Sequence, residues 1–154
     1  MSEKSRTGSV KKQAAKKSGA DSLEKTLRKL LFREAAEEDV AGLTNADTAL
    51  LVERAREFLD VKAPGRVKIR IDPAGVSDGA LAHRCILEIL NDDMPFLVDS
   101  IINALSKRGH TVHTILHPVF TSARDSKGKL KALDSSKKRS GDFLRESYLH
   151  IHLE

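Results

Sequence analysis

Asn91-Asp92-Asp93-Met94-Pro95-Phe96-Leu97-Val98-Asp99-Ser100 joins an apolar, strand-like run (Cys85 to Leu90) to an amphipathic helical pattern (Leu97 to Arg108). Two acids and a proline mark the junction. A strand that turns straight into a helix leaves a pocket facing the free N–H groups of the first helical turn. Pro95 suits that turn, where its missing N–H is harmless. Asp92 or Asp93 is expected to cap the free N–H groups, so these acids are read first as caps and second as ligand contacts. Leu97, Val98, Ile101, Ile102 and Leu105 make one helical face, and Lys107, Arg108 and Gly109 have the chemistry of a C-terminal stop.

The flanking patterns extend the reading. Cys85, Leu87 and Ile89 alternate with Arg84, Ile86 and Glu88, apolar on much of both phases, which predicts a central strand with Cys85 as a small buried hydrophobe. Val112, Thr114 and Leu116 alternate with His113, Ile115 and His117 in a strand that runs into Pro118. Leu149, Ile151 and Leu153 alternate with Tyr148, His150 and His152 in a final strand. Upstream, Val67, Ile69 and Ile71 alternate with Arg66, Lys68 and Arg70, a half-buried strand. Before it, Leu23, Leu27, Leu30 and Leu31 share one helical face, and Leu51, Ala55, Phe58 and Leu59 share another. Gly42 and Pro64-Gly65 end these two short helices. The fold class is therefore α+β, with a ferredoxin-like βαββ core, an incomplete βαββαβ unit, preceded by a helical pair. The strand at 66–71 is a candidate for the empty sheet edge.

Charge divides the chain. Residues 1–20 hold Lys4, Arg6, Lys11, Lys12, Lys16 and Lys17 against Glu3, so the formal net charge of +5 resides in this Ser/Gly/Lys/Ala-rich stretch. It reads as a disordered basic tail (1–20), followed by the helical pair (21–64) and the α+β domain (65–154). A second basic cluster, Arg124, Lys127, Lys129, Lys131, Lys137, Lys138 and Arg139, with Gly128 and Gly141, reads as a long exposed loop near 122–143. Nucleic-acid binding through tail and loop is the third-ranked function; the neutral remainder and scarce aromatics argue against it. No apolar run approaches the ~20 residues of a membrane helix, and Cys85 is the sole cysteine. These features predict a cytoplasmic protein with no membrane partner.

No catalytic residue set is legible. Ser100 and Ser106 lack a G-x-S-x-G elbow, and no G-x-G-x-x-G occurs. His113, His117, His150 and His152 fall on the polar phases of two neighbouring strands and form a low-ranked Zn²⁺ patch, so the expected metal complement is none.

Asp93-Met94-Pro95-Phe96-Leu97 resembles the D-x-P-G-L-type corner of ACT regulatory domains, ferredoxin-like modules that bind amino acids. Phe96 stands where the glycine would be, which narrows the space for a ligand. The whole run Asn91–Ser100 looks like the N-terminal region of the large bacterial NAD-specific glutamate dehydrogenases. His117-Pro118-Val119, Arg124-Asp125, Gly128, Glu146-Ser147 and His150-Ile151 fall in that family's order. The resemblance covers roughly residues 23–153. It implies a non-catalytic, ACT-like regulatory or assembly domain of an enzyme that oxidatively deaminates L-glutamate to 2-oxoglutarate. The nucleotide fold and catalytic lysine would lie far downstream, with NAD in the parent enzyme and no cofactor in this chain. It further implies the remainder of the enzyme as partner, a homo-oligomer, and an amino-acid effector at Asn91, Asp92, Asp93, Met94, Pro95 and Phe96. A free-standing ACT-type amino-acid-binding module is the alternative.

Overall fold

A computed structural model describes residues 21–134, 141 and 143–154. The basic tail and residues 135–140 and 142 of the basic loop lie outside the described residues. Helix α1 covers 21–32, α2 Glu37–Val40, α3 Asn45–Asp60 and α4 Leu97–Lys107. The strands are β1 (Lys68–Pro73), β2 (Cys85–Asp92), β3 (Val112–Leu116), β4 (Val119–Arg124), β5 (Leu130–Asp134) and β6 (Leu144–Leu153). They form one antiparallel sheet in the order β1-β2-β6-β4-β5, with β3 also paired to β6.

The sheet is built around β2 and β6, paired from Cys85↔Leu153 to Asp92↔Glu146. On the other edge of β6, β3 pairs with its C-terminal half and β4 with its N-terminal half. The interruption falls at His117-Pro118, because proline has no N–H for a ladder; the Pro118 carbonyl still accepts from the Tyr148 amide at 3.1 Å. The strand-helix-strand start (β2, α4, β3) and the return through β6 are those of the expected βαββ core. β1 lies antiparallel beside β2, from Lys68↔Leu90 to Pro73↔Cys85, and so fills the outer-strand place of the incomplete unit.

Two layers of helix cover the sheet. On one face, Leu27, Leu30 and Leu31 of α1 and Val52, Ala55, Phe58 and Leu59 of α3 pack with Leu90, Phe120 and Tyr148. On the other, Leu97, Val98, Ile101, Ile102 and Leu105 of α4 pack with Leu87, Ile89, Leu149, Ile151 and Leu153. Helix α3 begins in a reciprocal capping box: Thr44 Oγ1 accepts from the Asp47 amide at 3.1 Å, and Asp47 Oδ2 accepts from the Thr44 amide at 2.8 Å. At its other end Lys68 Nζ donates to the carbonyls of Phe58 and Val61, at 2.6 and 2.8 Å, placing a cation at the negative end of the helix dipole. Gly109 (φ +78°) ends α4, donating to the Ser106 carbonyl at 3.0 Å.

Three local expectations are corrected. The stretch from 122 to 134 is a hairpin, not a loop: β4 and β5 pair from Thr121↔Asp134 to Arg124↔Leu130. Its turn is pinned to the α3–β1 connection, where the Lys62 amide donates to the Gly128 carbonyl at 3.0 Å. At Gly128 (φ +81°) a Cβ would lie 1.9 Å from the Lys62 carbonyl oxygen, so only glycine fits this contact. Strand β1 is half-buried on the phase opposite to hydropathy: Ile69 and Ile71 are exposed, whereas Lys68 and Arg70 are partly covered. The reason is that α4 covers β2, β6 and β3 but not β1. Cys85, at the first position of β2, is exposed rather than buried.

Candidate functional site

The β2–α4 corner is built without the expected caps. Phe96 holds the N-cap position in left-handed conformation (φ +62°, ψ +10°), and no side chain caps the helix. Its ring is 78% exposed, so it does not fill the corner as the phenylalanine-for-glycine argument anticipated. Pro95 and Met94 are also exposed, and Asn91 Nδ2 approaches Met94 Sδ at 3.7 Å. The two acids turn away from the helix. Asp92 Oδ1 accepts from Lys62 Nζ at 2.8 Å. Asp93 Oδ2 lies 2.7 Å from Arg145 Nε, and its amide donates to the Arg145 carbonyl at 3.0 Å. The partners are 30 residues or more distant in sequence, which is why local pattern favoured capping.

These acids open onto a cavity of about 380 Å³ that, among the described residues, is lined by Asp92, Asp93, Leu144 and Arg145. Its rim offers carboxylates and a guanidinium a few ångströms apart, with one aliphatic wall. Within it Asp93 is paired with Arg145 and Asp92 with Lys62, so the charges of the rim balance one another.

Beneath α3 the same sheet face carries two fully buried carboxylates. Glu146 accepts from Ser122 Oγ at 2.5 Å and from Arg124 Nε and Nη2 at 3.0 and 2.9 Å, with buried Lys62 Nζ at 3.5 Å. Arg124 Nη1 also donates to the Leu59 and Gly128 carbonyls. Lys62 thus bridges buried Glu146 to Asp92 at the corner. Glu88 accepts from Arg54 Nη2 at 3.1 Å, Arg70 Nε at 2.7 Å and Tyr148 Oη at 2.7 Å. From Tyr148 the contacts continue to His150 Nδ1 (2.9 Å) and from His150 Nε2 to His152 Nε2 (3.1 Å). Because Tyr148 donates to a carboxylate, His150 Nδ1–H donates to Tyr148 and His152 Nε2–H donates to His150. Both rings are neutral in this arrangement. Burial, reinforced by His152, Arg54 and Arg70, pushes His150 well below the usual histidine range. Burial, with Arg84 and His113 nearby, pushes His152 down to about 4. Burial beside Glu88 raises Tyr148.

The four histidines do not converge. His150 and His152 adjoin one another under α3, His117 Nε2 contacts Ser147 Oγ at 2.5 Å, and His113 Nε2 contacts Glu154 at 2.6 Å. Among the described residues no group of three or more metal-ligating side chains comes together. Arg145, Lys62 and Glu88 were not singled out in the sequence, and Glu146 only as part of the family resemblance. One signal was present: Glu88 is the lone acid inside the apolar run Cys85–Leu90, and a buried acid requires partners.

Comparison with known proteins agrees with this architecture. Residues 27–154 match the family model described as glutamate dehydrogenase, ACT1 domain. The chain is 34% identical over 116 residues to the NAD-specific glutamate dehydrogenase of Pseudomonas aeruginosa, an alignment covering 75% of this chain and 7% of that protein. It is 32% identical over 98 residues to the NAD-specific glutamate dehydrogenase of Halomonas elongata, covering 63% of this chain and 6% of that protein. The chain therefore spans less than a tenth of the length of these relatives. No solved structure matches it.

Proposed function

The chain belongs to the glutamate dehydrogenase ACT1-domain family, and from that premise we propose that it is a non-catalytic regulatory and assembly domain of an NAD-dependent glutamate dehydrogenase. Oxidative deamination of L-glutamate to 2-oxoglutarate, and the NAD it uses, belong on this reading to the rest of a longer cytoplasmic polypeptide. The chain's own residues do not suit NAD. No G-x-G-x-x-G is present, and the β2–α4 turn carries Asp92 and Asp93, whose charge repels a pyrophosphate.

The observation that carries the reading is the Asp92–Asp93–Arg145 cavity at the strand-to-helix corner. Its balanced charges suit an amino-acid effector, with Asn91, Met94, Pro95 and Phe96 as the surrounding rim. An assembly role draws on β1, which ends the sheet order among the described residues and offers its outer side to another part of the enzyme. Three of the four described cations of the basic hairpin have acidic partners, which favours this over nucleic acid: Arg124 serves Glu146, Lys129 serves Asp60 and Lys131 serves Asp125.

Calorimetric titration of the 154-residue chain with L-amino acids tests the effector site. Weak, saturable heat that disappears in Arg145→Ala is expected, and no heat at tens of millimolar for any amino acid sinks the effector role. Sub-millimolar affinity in the isolated chain favours the free-standing amino-acid-binding module instead. Glutamate and NAD given to the chain alone should yield no NADH; turnover above background refutes the non-catalytic assignment.

A further inference from the structure

Val67, Ile69 and Ile71 are 53, 60 and 58% exposed; Ile69 pairs with Ile89 and Ile71 with Leu87, which puts both on the α4 side of the sheet, and Val67 leads into the strand in the same alternation. The Lys68↔Leu90 register sets the Val67 end beside the β2–α4 corner, where Met94 and Phe96 are 51 and 78% exposed. The described helices do not pack on these β1 side chains. Nor does α4 bury any of its own residues fully, although its apolar stripe faces the sheet. The result is an aliphatic floor, one strand wide, beside a helix.

A βαββαβ unit carries two helices side by side on one face, the second lying over the outer strand. In this chain β1 holds the outer-strand place and α4 the first helix place. We propose that the Val67–Ile69–Ile71 stripe seats an amphipathic helix supplied by the longer dehydrogenase polypeptide, presenting apolar anchors at i, i+3 and i+4. The inference rests on the reading of this chain as one domain of such an enzyme. Three considerations select that occupant. The stripe is three aliphatic side chains on one strand, short of the roughly 800 Å² that each partner in a stable free dimer buries, so a second copy is poorly held. A tethered helix needs far less area, because linkage raises its effective concentration. The relatives carry most of their length outside the matched segment, so such a helix has a source. A β-branched stripe left bare on an edge strand would also invite aggregation.

In βαββαβ order the second helix follows the third strand, the place β6 holds here. The probe is therefore a fluorescein-labelled peptide of the thirty or so residues that follow the matched segment in the Pseudomonas aeruginosa relative. Titrated with the 154-residue chain, it should show saturable anisotropy and a gain in helical circular dichroism. Ile69→Asp and Ile71→Asp should each weaken binding at least tenfold; both positions are exposed, so these variants keep the fold. Absent binding, or equal binding by the variants, overturns the proposal. So does a concentration-dependent dimer of the wild-type chain that Ile71→Asp dissolves, since a second copy would then be the occupant. The amino-acid and NADH assays do not involve the β1 stripe, so failure here is separable from failure of the domain assignment.

Discussion

Glu88 joins the helical layer to the sheet. A carboxylate with no solvent exposure holds Arg54 from α3, Arg70 from β1 and Tyr148 from β6. A glutamine in its place would keep the shape and remove the buried charge that both guanidinium groups answer, leaving Asp72 at 3.4 and 3.6 Å and, for Arg70, Glu57 at 3.8 Å. Breaking one side of a buried ion network is costly because the surviving charges stay desolvated. Glu88→Gln should lower stability by roughly 3 kcal/mol in urea unfolding; a loss below about 1 kcal/mol contradicts the clamp. The histidines at the end of this chain of bonds give a pH signature. His152 is near 6.5 when unfolded and about 4 when folded, so between these values the unfolded chain takes up a proton that the folded chain refuses. Its contribution is whole above pH 6.5, is lost as pH falls, and amounts to about 3 kcal/mol at completion. His150 shifts in the same direction. Stability should already be lower at pH 5 than at pH 7 by about 2 kcal/mol; urea midpoints that stay level across that interval contradict this.

At the scale of elements, the corner between β2 and α4 stores strain. A phenylalanine at φ +62° is an unusual N-cap, and its ring gains little from burial. Phe96→Gly should therefore raise the melting stability by about 1 kcal/mol. A drop of similar size would mean that the ring packs at home. The elements themselves were legible in sequence because their signals are local. The Leu97–Leu105 stripe, the Leu51–Leu59 stripe and the alternations of β2, β3 and β6 each repeat over a few residues. What each face meets is set by distant segments and was not legible. Asp92 and Asp93 follow every rule for a cap, yet Lys62 and Arg145 claim them. Ile69 and Ile71 follow the rule for a buried phase, yet no described helix packs on that face of β1. The basic cluster looked like a loop because its lysines hid the short alternation of β5; Lys129 just before it pairs with Asp60 and Lys131 within it with Asp125. The sequence pointed to the corner, but not to Arg145, the partner of Asp93, which arrives on β6 from the far end of the described chain.

For the whole molecule, protection should follow the layering. β2 and β6 lie inside the sheet with helices on both sides, whereas α2 buries no residue and β1 is an edge. Hydrogen exchange read by mass spectrometry should find the β2 and β6 amides slowest and those of α2 among the first to exchange. Comparable protection in α2 and β6 would contradict this layering. Strand β6 carries one more consequence. From Glu146 to Leu153 every residue is buried, but one phase offers Glu146, Tyr148, His150 and His152 while the other offers Ser147, Leu149, Ile151 and Leu153. A slip of one residue against β2 would drive a carboxylate and two imidazoles into the α4 layer and leave Arg54 and Arg70 facing leucine. The strand thus works as a proofreader of its own assembly: a one-residue slip in either direction is penalised on both sides at once, and the correct alignment is separated from these nearest rivals by a wide energy gap.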